Sequence, residues 1–323
     1  MTSRVITYSS AYTLVPTYEC FNRCTYCNFR QDIGTSGWMS LAAATLTLRS
    51  LPTRICEILI LSGEVHPQSA DRAAWFDHIF SLCERAIELG FLPHTNVGPL
   101  SNAEMARLKT VNVSMGLMLE QSTPHLLSTV HKHAPSKNPT LRLNQLRQAG
   151  ELKIPFTTGI LVGLGETEAD RAQSLEAIAQ VQAEFGHLQE CILQPYSPGT
   201  QEAWMGDGFD LAELPTLVAM ARSILPDTMA IQIPPNLVTQ PAVLLACLEA
   251  GARDLGGISP VDEVNPDYPH PTEMSLAQVL APAGWPLEAR LPVYPQYLDW
   301  MTPRLKEAIA QRVDALANYT LKN

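Results

Sequence analysis

Three closely spaced cysteines near the N-terminus constrain this chain more than any other feature. They are Cys20, Cys24 and Cys27, in the segment CFNRCTYC over residues 20–27. Three thiolates on one short loop can bind three irons of a cubane iron–sulfur cluster, whereas complete ligation by protein needs four cysteines. The fourth iron then stays open, and open metal positions are where chemistry takes place. The triplet therefore predicts a catalytic [4Fe–4S] cluster.

Other uses of the cysteines are weaker interpretations. A structural zinc site takes four nitrogen or sulfur ligands with paired spacings, and the remaining Cys56, Cys83, Cys191 and Cys247 are isolated. A disulfide framework fits poorly with seven cysteines and no visible secretory signal. A zinc-stabilised scaffold and a non-catalytic electron-transfer or sensor protein stay as alternatives, although the second favours a fully ligated cluster.

Composition predicts an ordinary globular protein of the cytoplasm. Of the 323 residues, 46% are hydrophobic and 17% charged. A net charge of −10 disfavours a nucleic-acid partner, because no basic stripe is available to neutralise phosphates. No apolar run approaches the roughly 20 residues that cross a membrane. Cysteines without a disulfide pattern fit a reducing compartment.

Strand-like and helix-like segments alternate along the chain, which predicts parallel pairing and an α/β fold, a (β/α)8 TIM-type barrel. The expected strands cover residues 13–17, 57–61, 93–97, 111–116, 156–162, 190–194, 229–233 and 253–256. The expected helices cover residues 41–51, 73–89, 103–109, 139–149, 168–184, 212–225 and 241–250. We expect one domain over 1–323, with its core at about 8–257.

The C-terminal extension, residues 258–323, is rich in proline. Because proline fixes φ and removes a hydrogen-bond donor, we expect an extended segment with little regular structure. It would wrap the surface or cover a mouth of the barrel, and a final helix would follow over 303–317.

Unusual residues follow every predicted strand, and in such barrels the carboxyl ends of the strands carry the active site. They are the cysteine loop, residues 62–64 (SGE), 95–98 (TNVG), 114–116 (SMG) with Glu120, 159–166 (GILVGLGE), 194–196 (QPY), 234–236 (PPN) and 256–260 (GGISP). Because these residues share that position, we expect all of them to lie around one mouth of the barrel.

Three carboxylates near this mouth, Glu120, Asp262 and Glu263, are candidates for substrate contacts or proton transfer. A carboxyl group buried in a barrel mouth can have a raised pKa and act as a general acid or base. A loop carboxylate in water is the equally weighted alternative. The segment His131-Lys132-His133 is expected to be a solvated loop.

The cysteine spacing resembles that of the radical S-adenosylmethionine (SAM) superfamily, and the resemblance implies both cofactors, the [4Fe–4S] cluster and SAM. It implies that Cys20, Cys24 and Cys27 bind the cluster and that SAM provides a 5′-deoxyadenosyl radical. Residues Ser62, Gly63 and Glu64 match a Gly-Gly-Glu element at the SAM ammonium group. Gly159, Ile160, Gly163 and Glu166 match the adenine-contacting element, and Tyr26 matches an aromatic residue that borders the adenine. Gln194 is assigned to the same cofactor site, and Ser114 to the ribose hydroxyls, with a satisfied core serine as its alternative.

A narrower resemblance spans nearly the whole chain. Residues 12–30, 157–167, 194–198, 233–237 and 254–260 closely resemble the CofG-type subunit of 7,8-didemethyl-8-hydroxy-5-deazariboflavin (FO) synthase. That family cyclises a tyrosine-derived ribityl-diaminouracil adduct and releases ammonia, which makes it a radical SAM lyase of deazaflavin biosynthesis. The resemblance implies an adduct-forming CofH-type partner enzyme and an electron donor such as flavodoxin or ferredoxin. The adduct-forming synthase itself, and menaquinone-pathway or biotin-synthase-like enzymes, are the nearest alternatives.

Overall fold

Eight parallel strands close into a barrel in the computed structural model, which describes residues 4–204 and 206–320. The ends of the expected 1–323 domain lie outside the described residues. The strands are β1 (Ile6–Leu14), β2 (Glu57–Leu61), β3 (Leu92–Asn96), β4 (Ser114–Gly116), β5 (Phe156–Val162), β6 (Leu188–Pro195), β7 (Ala230–Gln232), β8 (Asp254–Ile258) and β9 (Leu287–Arg290). Each of the first seven strands pairs with its successor, β8 pairs with β1 to close the barrel, and β9 also pairs with β1. The predicted (β/α)8 barrel is confirmed.

Helices surround the barrel. They are α1 (Leu41–Ser50), α2 (Arg72–Glu88), α3 (Asn102–Leu108), α4 (Pro139–Glu151), α5 (Glu168–Phe185), α6 (Leu214–Ile224), α7 (Pro241–Ala250), α8 (Glu273–Leu280) and α9 (Pro303–Thr320). Capping boxes begin two of them, at Ser101 before α3 and at Thr167 before α5. The main core lies between the helices and the outer face of the sheet, where Trp75 and Ile79 of α2 are fully buried.

The inner face of the barrel surrounds a cavity instead of a filled core. Along β6, the side chains of Glu190, Ile192 and Gln194 alternate inward with the period of two that a strand imposes. Barrels of this type usually fill the interior with layers of bulky branched residues. Here Gly116 and Gly257 also face inward and leave room.

Two expectations about the strands and the tail are wrong. The first strand lies at Ile6–Leu14, not at residues 13–17, because its ladders form with β2, β8 and β9. The C-terminal extension contains regular structure, namely α8 and β9. Strand β9 pairs with residues 6–9 of β1, next to the stretch 11–14 that pairs with β2.

Strand β9 closes the floor of the barrel at the amino ends of the strands. Its Arg290 reaches Asp254 through two hydrogen bonds, of 2.6 and 2.8 Å, and forms an ion pair with Glu190. Burial opposes ionisation of Asp254, but Arg290 holds the pKa of that carboxyl below its ordinary value. Just beyond β9, the carbonyl of Pro292 accepts hydrogen bonds from Ser114 and Gln189. The extension is thereby locked into the barrel.

We expect Arg290→Gln to lower the free energy of unfolding by about 3–5 kcal/mol, because it leaves two buried carboxylates without their cation. The matched control is Arg304→Gln, since the Arg304–Glu84 ion pair is exposed (47% and 38% of the side chains) and should contribute at most about 1 kcal/mol. Chemical denaturation measures both. Equal, small losses in the two variants would contradict the assignment.

Candidate active site

One cavity of about 350 Å³ runs through the barrel from mouth to floor. The three cysteines line it at the mouth, and Arg290 lines it at the floor. This volume lies within the range typical of small-molecule sites. The cavity thus joins the predicted cluster loop to the barrel interior.

The cysteine loop is held in place by backbone contacts, and its three cysteines line the cavity. The amide of Cys20 donates to the Gln31 carbonyl at 3.2 Å, and that of Cys27 to the Cys24 carbonyl at 3.2 Å. Burial raises the pKa of Cys20 to about 11 and that of Cys24 to about 12. Iron binding must therefore displace protons from these thiols.

The donor set fits an iron–sulfur cluster, since three thiols face one cavity. Within residues 4–204 and 206–320, no three histidine, cysteine, aspartate or glutamate side chains converge around a point that would suit a single metal ion. A cubane cluster does not need such convergence, because each thiolate binds a different iron.

Gly63 lets the cysteine loop approach the end of β2. A Cβ atom at this position would lie 2.2 Å from the carbonyl oxygen of Glu19, so only glycine fits. The Gly63 amide donates to the Thr17 carbonyl at 2.7 Å. The neighbouring Ser62 is buried and bonds the Gly63 carbonyl and the Trp75 indole. Both residues line the cavity and fix the shape of the mouth.

Glu64 extends from this turn into the cavity. Its carboxylate accepts a hydrogen bond from Asn22 at 2.9 Å and lies 3.6 Å from the guanidinium of Arg142. Asn22 is part of the cysteine loop, so Glu64 is positioned directly beside it. An acceptor here suits the ammonium group expected from the sequence.

Two buried cations, Lys137 and Arg142, were missed from the sequence. Both line the cavity, and the Arg142 side chain is only 2% exposed. Lys137 forms an ion pair with Glu120, and Arg142 lies 3.7 Å from the same carboxylate. A signal was available, since Arg142 occupies the buried stripe of α4 that continues at Leu146 and Ala149.

The expectation of a raised pKa is wrong for Glu120. Burial raises the pKa of this carboxyl, but Lys137 and Arg142 outweigh burial and bring it below its ordinary value. The residue is buried, and its φ of 65° places it in the left-handed region, which is costly for a residue with a side chain. Glu120 therefore acts as a fixed negative charge between two cations.

The glycine-rich run after β5 is organised by its own glutamate. Glu166 accepts hydrogen bonds from the amides of Gly163 and Leu164, both at 2.8 Å, and from Arg171 at 2.8 Å. At Gly159 a Cβ atom would lie 2.3 Å from the Ile192 carbonyl on β6, so strand packing requires glycine. Ile160 is fully buried. The adenine contact expected of this run stays a prediction.

Tyr26 and Gln194 line the cavity. Ser114 instead lies at the start of β4, where its hydroxyl donates to the Pro292 carbonyl. The Tyr26 hydroxyl is 3.0 Å from His131 Nε2. His131 is buried, so the expected solvated loop is wrong for this residue, while Lys132 is exposed. The ribose contact of Ser114 stays a prediction that its position does not favour.

The carboxylates at 262 and 263 differ in position. Asp262 lines the cavity and accepts hydrogen bonds from Asn236 at 2.7 Å and from Asn265 at 3.1 Å. Glu263 instead accepts a hydrogen bond from the Tyr18 hydroxyl at 2.6 Å. The segment after β8 thus lies at the mouth, and of the two only Asp262 faces the cavity.

Comparison with known proteins decides the family. The profile of the Radical SAM superfamily matches residues 14–178. A 7,8-didemethyl-8-hydroxy-5-deazariboflavin synthase from Thermosynechococcus vestitus is 62% identical over 312 residues, which cover 96% of this chain and 99% of that protein. The synthase of the same name from Trichodesmium erythraeum is 59% identical over 96% of this chain and 97% of its own length. The chain belongs to this family of radical SAM enzymes. The [4Fe–4S] cluster and SAM follow from that membership.

Solved structures agree on the fold. The hydrogenase maturase HydG from Carboxydothermus hydrogenoformans aligns with a TM-score of 0.71 at 18% identity, over 99% of this chain and 79% of that one. Methylornithine synthase (PylB) aligns with a TM-score of 0.67 at 16% identity, over 88% and 84%. Across the described residues, no helix combines the length and apolar character needed to cross a membrane.

The buried His131 predicts a pH dependence of stability. Burial, followed by the charge of Lys137, lowers its pKa to about 3, against 6.5 for an ordinary histidine. The unfolded chain therefore binds a proton that the folded chain refuses, and stability falls as pH drops below about 6.5. We expect His131→Gln to flatten part of this fall in thermal unfolding between pH 6.5 and 4. The exposed neighbour His133, changed to Gln, should leave the profile as it is; a profile unaltered in both variants would contradict this.

Proposed function

We propose that this chain is the ring-closing FO synthase, a lyase that converts the 5-amino-5-(4-hydroxybenzyl)-6-(D-ribitylimino)-5,6-dihydrouracil adduct and SAM into FO, 5′-deoxyadenosine, methionine and ammonia. The adduct loses a hydrogen atom to the 5′-deoxyadenosyl group, and then a proton and one electron that would return to the cluster, so that SAM is the net two-electron oxidant. The observation that carries the proposal is the 62% identity to a synthase of this name over 99% of its length. A CofH-type enzyme would supply the adduct, and a flavodoxin or ferredoxin the first electron.

The bound cluster would supply an electron to the SAM sulfonium, whose cleavage gives methionine and the 5′-deoxyadenosyl radical. Cys20, Cys24 and Cys27 would hold that cluster at the mouth. Glu64 offers an acceptor for the SAM ammonium group, and Lys137 with Arg142 offers cations for its carboxylate. Opposite charges held in fixed places orient SAM without reorganisation during reaction.

The remaining residues would control access and protons. Tyr26 presents an aromatic surface to the cavity, held by its hydrogen bond to His131. The segment that carries Asp262 covers part of the mouth, and exclusion of water protects a radical from side reactions. Asp262 faces the cavity, which makes it a better candidate than Glu263 for moving a proton during ring closure and ammonia loss.

Anaerobic turnover tests this function directly. The cluster-loaded protein, given SAM, reductant and the adduct, should form 5′-deoxyadenosine together with the fluorescent deazaflavin, both followed by chromatography. Cys24→Ala should lose cluster iron and both products, whereas Cys247→Ala should keep them, because Cys247 is a buried cysteine of α7 that does not line the cavity. Formation of 5′-deoxyadenosine by the Cys24 variant, or of no deazaflavin by the intact protein, would contradict the proposal.

A second experiment addresses Lys137. We expect Lys137→Gln to raise the KM for SAM about 10- to 100-fold at unchanged iron content, because a hydrogen bond to a charged group contributes about 1.5–3 kcal/mol. The exposed Lys132→Gln on the same segment is the control and should behave as the parent protein. An unaltered KM for SAM in the Lys137 variant would remove this residue from the SAM site.

A further inference from the structure

Polar residues line the deep part of the cavity, where a filled barrel would place aliphatic side chains. Glu57 of β2, His94 of β3 and Gln232 of β7 all face this part of the cavity, and each is at least nine-tenths buried. We call these three residues the floor site. Burying such groups is costly unless they are hydrogen-bonded, so their partners need to be accounted for.

Glu57 has no partner of its own. Among the described residues, no group donates a hydrogen bond to its carboxyl or forms an ion pair with it, and the side chain lies in a residue that is 7% exposed. The nearby cation Arg290 is already engaged with Asp254 and Glu190. The Glu57 carboxyl therefore offers its acceptor positions to whatever occupies the cavity.

His94 offers a second acceptor. Its Nδ1 lies 2.7 Å from Ser114 Oγ, and that hydroxyl gives its own hydrogen to the Pro292 carbonyl at 2.6 Å. Nδ1 must then donate to Ser114, which leaves Nε2 as the acceptor of a neutral ring. Burial lowers the pKa of His94, which favours that neutral form. A Cβ atom at Gly116 would approach Nε2 to 2.9 Å, so the glycine keeps this nitrogen accessible.

Gln232 completes the set with an amide that can donate and accept. Its side chain makes no hydrogen bond to the described residues, and it lines the same cavity. The Glu57 carboxyl, His94 Nε2 and the Gln232 side-chain amide thus have no hydrogen-bond partner among the described residues. Two acceptors and one amide match a ligand that carries several hydroxyl groups. An aliphatic ligand would leave every one of these groups unsatisfied, at a cost of about 1–3 kcal/mol each.

We propose that the floor site binds the ribityl chain of the substrate, an inference that rests on the proposed function. The reacting rings must lie close to SAM, beside the cysteines at the mouth. The carbon atoms of the ribityl chain neither gain nor lose a bond in the reaction, and the chain carries consecutive hydroxyl groups. It is thus the part free to extend to the floor, where Glu57 accepts from its hydroxyls and fixes the depth at which the rings stop.

Equilibrium binding separates this role from catalysis. The adduct is titrated calorimetrically into cluster-loaded enzyme with SAM and no reductant, so that no turnover occurs. We expect Glu57→Gln to raise the Kd about 10- to 100-fold. With an adduct analogue whose ribityl chain is replaced by methyl, parent and variant should bind equally. Glu288→Gln, an exposed carboxylate on β9, is the control and should bind both ligands as the parent does.

The stability of the free variant provides an independent readout. Because Glu57 has no partner to lose, Glu57→Gln should unfold at the same temperature as the parent or higher, whereas a structural carboxylate would lower it. Gln232→Leu serves as a second variant and should also lose affinity only for the full adduct.

Three results would overturn the floor site. They are an equal loss of affinity for both ligands, no loss for either, or no binding of the adduct to the parent enzyme. Tight, ribityl-dependent binding without deazaflavin formation would keep the floor site and reject the proposed function.

Discussion

The ion pairs of Arg290 determine the shape of the cavity. An open-ended barrel lined by polar groups would fill with water, and its strands would lack a packed interior. Arg290 connects the strands at the lower end of the barrel, because it joins β9 to Asp254 on β8 and to Glu190 on β6. The floor is then closed by charge pairing and by the Pro292 carbonyl, not by aliphatic layers. This leaves the space above it for ligands.

At the mouth, buried carboxylates also lie next to buried cations. Glu64 and Glu120 face Lys137 and Arg142 around the cysteine loop, so charges of both signs are buried together. The pKa of Glu120 is lowered as a result. Charges of both signs are thereby held in fixed positions around the cysteine loop before any ligand enters the cavity.

The sequence predicted the barrel because alternating periodicities and strand-end residues are local signals. It predicted the cysteine loop from the spacing of Cys20, Cys24 and Cys27, and the Gly63 turn because close backbone approach requires glycine there. It failed for β9, since a four-residue strand with the sequence LEAR carries no periodicity and pairs with β1 across most of the chain. It also missed Lys137, which lies in a short turn with no pattern of its own, and it mistook His131 for a surface residue. In the sequence, Glu57 is one polar residue at the start of an apolar strand, and only the closed barrel shows that none of the described residues forms a hydrogen bond or ion pair with it.

The pairing of β1 with both β2 and β9 has a consequence for the order in which the protein folds. Strand β1 is completed on one edge by residues 57–60 of β2 and by residues 287–290 of β9. Contacts so distant in sequence form late, because a long loop must close before they contribute free energy. We therefore expect the floor to close late in folding, when Arg290 of β9 reaches Asp254 and Glu190.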